Sequence, residues 1–340
     1  MSTLLDNLPA FIILLMIVGV MVFIGFRLGA SFVIRRLAGL VFVLLGVTFI
    51  TFILGYFAPG DIVTLQLGQH PNAIAAAHLR EFYGLNLPWW QQYLRYVNGL
   101  LHFSLGYSWQ DYTKSVWDVL SLYLPASVEL GVAGSIFAVV VGVPLGVWAA
   151  VRANSRFDTS VQTIGLVFYA LPTFVIIPFY DIAIIYLHNL GLPTLATSGW
   201  GTWDTEIAPI TIFAIGSFAY YVRLTRSSMI EVLRQDYVRT ARAKGLSERV
   251  VIFRHAFRNA MIPLLTAIGP ALAYVVSGLF IIERLMNIPG IGSEGLIAII
   301  SHDFPVVEGT VILLAVAIVF MNLVTDVAYG FVDPRVKAGS

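Results

Sequence analysis

Seven stretches of this chain are apolar on all sides: Pro9–Phe26, Leu37–Phe57, Ala126–Val151, Val161–Leu187, Pro209–Val222, Ala260–Ile282 and Val306–Tyr329. A helix that is hydrophobic all round lies in a core or in lipid, and a bilayer crossing takes about 20 such residues. The pattern therefore predicts seven transmembrane helices. The fifth stretch is short and extends toward Arg226. Polar segments with different characters separate the spans, and these carry most of the remaining information.

The charges set the topology. Arg27, Arg35 and Arg36 follow the first span, and Arg152 and Arg156 follow the third. Nine basic residues lie between Arg223 and Arg258, and Arg335 and Lys337 close the chain. The opposite loops hold Arg80, Arg95, Lys114 and Arg284. Basic loops stay in the cytoplasm, so the N-terminus is expected outside and the C-terminus inside. Asp6 precedes the first span, no basic residue does, and no A-x-A site follows. That reads as an uncleaved helix rather than a signal peptide.

The segment 59–124 falls outside and is rich in amphipathic rings, with Trp89, Trp90, Tyr93, Tyr96, Trp109 and Trp117. Short helices at the headgroup level are expected there. They form either an aromatic belt or a surface met by an extracytoplasmic partner. The cytoplasmic loop 223–258 is more structured. Good helix formers run over Met229–Lys244, and Gly245 supplies a left-handed stop. Leu246 follows, and Ser247 is an N-cap for a second helix. Val250, Phe253 and Phe257 recur at i, i+3 and i+7 as one apolar stripe, with Arg254 and Arg258 on another face. The loop is thus a basic helix–Gly–helix elbow, either a topology anchor or a docking knob for a cytoplasmic protein.

Composition agrees with lipid as the main solvent. The 340 residues are 58% hydrophobic and 11% charged, against about 25% charged in soluble domains. That excludes a disordered chain, a nucleic-acid binder and an ordinary cytosolic enzyme. There is no Cys, hence no thiolate chemistry. None of Lys114, Lys244 and Lys337 lies in a P-loop, and no H-E-x-x-H or G-x-S-x-G occurs. The six His are scattered without ligand spacing. Glu129, Asp181 and Asp326 lie within or beside spans, and Asp181 is a candidate to face a translocation cavity. Pro144, Pro172, Pro178 and Pro270 sit inside spans, where prolines kink helices.

Several ordered motifs resemble one family. They begin with Val33–Arg36 and Ala58–Pro59–Gly60–Asp61, then Tyr83–Gly84–Leu85, Trp90–Gln91–Gln92–Tyr93–Leu94 and Leu105–Gly106–Tyr107–Ser108. The longest runs unbroken from Arg234 to Ser247 through Arg239–Thr240–Ala241 and Lys244–Gly245–Leu246. Arg254–Ala260, Ile262–Pro263, Asn287–Gly292 and Asp333–Pro334–Arg335 complete the set. The chain resembles, over Ser31–Lys337, the B-type permease subunit of dipeptide/oligopeptide ATP-binding-cassette importers. The resemblance implies an all-α membrane fold with a MetI-like, type I importer core. Residues 1–30 would add an extra N-terminal span, 31–58 the first family helix, 59–124 the outer region, 125–332 the core and 333–340 the tail.

The elbow would then be the "EAA" coupling loop, with Arg239–Thr240–Ala241 at the triplet and Gly245 at its glycine. Arg replaces Glu in that triplet, and the usual Leu-Pro appears as Ile262–Pro263. Coupling residues implied are Arg239, Thr240, Ala241, Lys244, Gly245, Leu246, Ser247, Val250, Phe253, Arg254 and Phe257. Tyr169, Asp181, Tyr274 and Ser277 are path candidates by polarity within the core helices. The partners implied are a second homologous permease, two cytoplasmic ATPases that use ATP and Mg, and an extracytoplasmic solute-binding protein. The chain itself would bind no cofactor and no nucleic acid. Nickel, opine, glutathione or sugar remain alternative cargoes, and a stand-alone ion-coupled transporter is the alternative mechanism.

Overall fold

The computed structural model describes residues 30–58, 62–67, 72–261, 263–264 and 279–332. Among them every regular element is helical, with one isolated bridge between Tyr107 and Ser115. In order these are α1 (Ala30–Phe57), α2 (Ile62–Leu67), α3 (Ala73–Tyr83), α4 (Trp89–Leu101), α5 (Val116–Val151), α6 (Arg156–Ala170) and α7 (Thr173–Asn189). Then come α8 (Trp203–Leu233), α9 (Asp236–Ala243), α10 (Glu248–Val250, continuing as a π-helix over Val251–Phe257), α11 (Phe280–Leu285), α12 (Ile291–Ile300) and α13 (Phe304–Val332).

Four of these, α1, α5, α8 and α13, are long and apolar enough to cross a bilayer, and α6 with α7 makes a fifth as a bent pair. They match the second, third, fifth, seventh and fourth predicted spans. The first predicted span and most of the sixth, including Pro270, lie outside the described residues.

Three boundaries differ from the sequence expectation. The fourth span is not one straight helix but two, bent by 103°. Pro172 disfavours helical backbone at Leu171, which sits extended at φ −81°, ψ 119°. The third span begins ten residues early. Ser115 and Asp118 form a capping box, in which Asp118 N donates to Ser115 Oγ at 3.1 Å and Ser115 N donates to Asp118 Oδ2 at 3.0 Å. The fifth span grows to 31 residues, from a Thr202–Thr205 capping box to Leu233.

The chain divides into two compact units, residues 1–125 with 290–320 and residues 126–289 with 321–340. In the first, Val116, Leu120, Ala298 and Val306 form a buried apolar cluster. Asp303 fastens the 108–110 turn beside it. It accepts from Ser108 Oγ, from Trp109 N at 2.9 Å and from Gln110 N at 3.3 Å.

In the second unit α5 and α8 touch at the backbone. Gly134, Ala138, Gly142 and Gly146 recur every four residues along α5, one helix face. A Cβ on Gly142 would lie 3.0 Å from Phe218 O, and one on Gly146 would lie 2.7 Å from Val222 O and 2.6 Å from Thr225 Cβ. Ala138 is buried against Ala214 and Tyr221 in the same seam. Helices in lipid gain little from hydrophobicity against one another, so close approach through small residues supplies the attraction.

Gly146→Ala is therefore expected to lower stability by about 1–3 kcal/mol through overpacking. Gly216→Ala, on α8 with nothing within 4 Å of the added atom, is expected to be neutral or stabilising by helix propensity. Thermal unfolding of the detergent-purified chain separates the two.

Candidate functional site

The elbow is built from α9 and α10 joined by one tight turn. Gly245 sits at φ 76°, which an L side chain adopts only with strain. Its N–H donates to Arg242 O at 2.9 Å, and Leu246 N donates to Ala241 O at 3.4 Å, closing the end of α9 in the Schellman manner. Ser247 starts the second arm through its backbone. Its carbonyl accepts from Val250 N at 2.9 Å and Val251 N at 3.0 Å, and its side chain makes no capping bond.

The arms are tied together inside and out. Val238, Ala241 and Val251 bury against Val232 and Leu233. Arg242 reaches across the turn to Glu248, with Nε 2.8 Å from Oε1 and Nη2 3.3 Å from Oε2. Asn259 Nδ2 donates to Tyr237 Oη at 2.8 Å. Such exposed bonds are individually worth little, but together with the buried cluster they leave the elbow one shape.

The expected Val250–Phe253–Phe257 stripe does not hold the elbow down. Val251–Phe257 is wound as a π-helix, whose hydrogen bonds run i→i+5. Positions five apart therefore share a face, and Val251 and Ala256 are the buried pair. Ala256 and Ala260 pack with Val147, Ala150 and Met229, with Phe257 against their edge. Phe253 is 58% exposed and Val250 37%, with Leu246 beside the turn at 40%. Arg239, Thr240, Lys244, Ser247 and Arg254 are exposed as well. The tip is thus apolar at its centre and basic around it.

The stem is held by an ion pair within the helices. Arg226 of α8 donates to Asp158 of α6 from Nε at 2.5 Å and Nη2 at 2.7 Å, a bidentate fork. Asp158 is 2% exposed and also accepts from Asn154 N at 2.8 Å. This neutralises the charge that sits far along the fifth span and lets α8 run unbroken to the elbow.

The path candidates are not gathered into one place. Tyr169 is exposed at the end of α6, with the Arg223 guanidinium 5.6 Å from its ring centre. Asp181 lies on α7, beyond the bend, and its Oδ1 is buried without a hydrogen-bond partner. Tyr274 and Ser277 lie outside the described residues. Glu308, in the first turns of α13, is a fourth acid within a predicted span beside Glu129, Asp181 and Asp326. Among the described residues no group of three His, Asp or Glu is placed to hold a metal ion.

Several helices long and apolar enough to cross a bilayer, with a braced elbow following one of them, make this an integral membrane protein. Comparison with known proteins makes the assignment specific. Residues 142–338 match the model of the binding-protein-dependent transport system inner membrane component, and residues 29–131 match that of its N-terminal part. The dipeptide transport system permease protein DppB of Bacillus subtilis is 34% identical, over 91% of this chain and 98% of its own. DppB of Escherichia coli K12 is 35% identical over 90% and 98%, and the di/tripeptide permease DppB of Pseudomonas aeruginosa is 37% identical over 90% and 98%. The inward-facing MetNI methionine ABC transporter matches in fold, with a TM-score of 0.53 and 17% identity over 63% of this chain and 96% of that one. The chain belongs to the inner-membrane permeases of binding-protein-dependent transport systems, in the dipeptide/oligopeptide ABC branch.

Asp158→Asn is expected to leave Arg226 unpaired and to cost of the order of 2 kcal/mol, the partial exposure of Arg226 keeping the loss below that of a fully buried pair. Arg226→Met added to Asp158→Asn should recover most of it. Melting temperatures of the purified variants test this, and an unshifted single variant would contradict the clamp.

Proposed function

We propose that this chain forms half of the membrane path of an importer for di- and oligopeptides. A second, homologous permease supplies the other half. Two cytoplasmic ATPases, using ATP and Mg, drive it, and an extracytoplasmic solute-binding protein delivers the cargo. The N-terminus lies outside and the C-terminus in the cytoplasm, a reading supported by the distribution of basic residues. The chain performs no bond chemistry and binds no cofactor of its own.

The observation that carries this reading is the elbow. Phe253, Val250 and Leu246 are apolar side chains held in water on a small rigid support. Exposed apolar groups ringed by polar ones mark protein contact surfaces. Gly245, Ser247 and the Arg242–Glu248 bridge fix the knob's shape, Arg239, Thr240, Lys244 and Arg254 rim it, and Ala241 and Phe257 anchor it from below. The elbow continues into α8 at one end and toward the sixth predicted span at the other. A displacement of the knob by a closing ATPase pair is passed to the core helices as a rigid-body shift. Peptide cargo is supported by the relatives, which are dipeptide and di/tripeptide permeases. The unpartnered Asp181 oxygen favours one competitor, an ion-coupled transporter acting alone.

Purification of the tagged chain from its native membranes under mild detergent distinguishes them. The importer reading expects a second permease and one or two ATPases in the eluate, and their loss with Gly245→Asp. Nothing lies within 4 Å of an atom added at Gly245, so that variant costs about 1–2 kcal/mol of backbone strain and not a clash within the chain. A chain that elutes alone and still transports in liposomes would overturn the reading.

A further inference from the structure

The first compact unit contains a cavity of about 560 Å³ that the coupling mechanism does not use. It is lined from the end of α1, the α3–α4 corner, the 104–109 turn and the start of α13. Its volume falls in the range of small-molecule sites.

Two polar groups in its wall show no hydrogen bond to a described residue. Glu308 makes no hydrogen bond or ion pair with another described residue, although it sits in the apolar run that starts α13. The Tyr96 hydroxyl is buried and equally unpartnered. Burial, and then the nearby Glu308 carboxyl, hold that phenol far above its ordinary pKa, so it stays neutral. Ionisable groups at membrane depth are costly and are normally paired, and buried polar atoms are normally satisfied. A buried, unpartnered hydroxyl beside a carboxylate in one cavity points to a polar occupant.

The rest of the wall says what kind. Phe52 stacks on Tyr96 with ring centres 6.4 Å apart and on Tyr56 at 6.1 Å. Tyr83 and Trp109 meet at 5.8 Å. Aromatic rings beside a carboxylate form a cage for an organic ammonium. At another part of the wall is Arg95, whose Nη1 lies 2.7 Å from where a Cβ on Gly84 would stand. Gly84 is at φ 71°, so the bare residue serves both the turn and the guanidinium. Arg95 is exposed and makes no ion pair with a described residue, so its guanidinium can take an anion.

We propose that this cavity binds a small zwitterion with an apolar side group. The ammonium donates to Glu308 and to the Tyr96 hydroxyl oxygen, the carboxylate accepts from Arg95, and the apolar part lies among the rings. A free amino acid and the amino end of a short peptide share this chemistry. The inference does not rest on the coupling elbow, and its site lies in a different unit from Asp181 and Tyr169.

The test uses the full chain in lipid nanodiscs, with Trp109 fluorescence as local reporter and Trp109→Phe as background. The probes are L-phenylalanine, the dipeptide Phe-Ala, and N-acetyl-phenylalanine. At least one free-amine probe is expected to give a saturable change that Trp109→Phe abolishes, and which of the two binds more tightly tells amino acid from peptide. The acetylated probe should bind about ten-fold more weakly or worse, as loss of a charge-assisted bond implies. Glu308→Gln should cost the free-amine probes a similar factor and leave the acetylated one unchanged. Tyr96→Phe should weaken the same probes by a smaller factor, which covers the case of a poorly folded Glu308→Gln. No saturable binding by any probe, equal binding of the acetylated probe, or full binding by a well-folded Glu308→Gln would overturn the proposal. None of these outcomes bears on whether ATPases co-purify.

Discussion

The backbone contact between α5 and α8 is the constraint on which the second unit depends. A side chain at Gly142 or Gly146 would enter the space of Phe218 O or Val222 O. In lipid the two helices have no water to escape from, so their association rests on how closely they fit. That seam fixes α8 along its length. The Asp158–Arg226 fork then pins α8 to α6 near the end that feeds the elbow. The order of cause runs from small residues, to a close seam, to a long unbroken helix carrying a defined projection.

The elbow inherits its rigidity from this support. Ala256 and Ala260 pack onto Val147, Ala150 and Met229, so the second arm lies on the same α5–α8 pair that forms the seam. Burying alanines at these points brings the arm close and turns the larger Val250 and Phe253 outward. A lever needs a stiff stem and a free tip, and the distribution of small and large apolar residues supplies both. The π-helical winding buries Val251 and Ala256, five apart, and leaves Val250 and Phe253 exposed.

Much of the architecture was legible from the sequence, because lipid imposes long apolar runs. The turn at Gly245 was legible for a local reason, since left-handed backbone favours Gly. Part of the rest needed neighbours, and part was local. Pro172 was visible, but not that Leu171 would open into a 103° bend. The Ser115–Asp118 box is an S-x-x-D pattern and could have moved the start of α5 to Val116. The i, i+3, i+7 stripe assumed 3.6 residues per turn, and the chain is not wound that way there. The four-residue spacing of Gly134, Ala138, Gly142 and Gly146 was readable and went unread. The Asp158–Arg226 pair joins residues 68 apart, and no local pattern announces it. Among the path candidates, polarity alone chose Tyr169 and Asp181, and the fold leaves them on separate arms of the bend.

The central claim is that the exposed tip of the elbow meets an ATP-hydrolysing partner. The chain has no Cys, so F253C places its sole thiol at the tip. That thiol would carry a photoreactive cross-linker in membranes holding the whole assembly, with the adduct identified by mass. The account predicts a cross-link to a cytoplasmic ATPase subunit whose yield changes when ATP is added. Adducts only to lipid or to this chain, with the ATPase present in the same membranes, would contradict it.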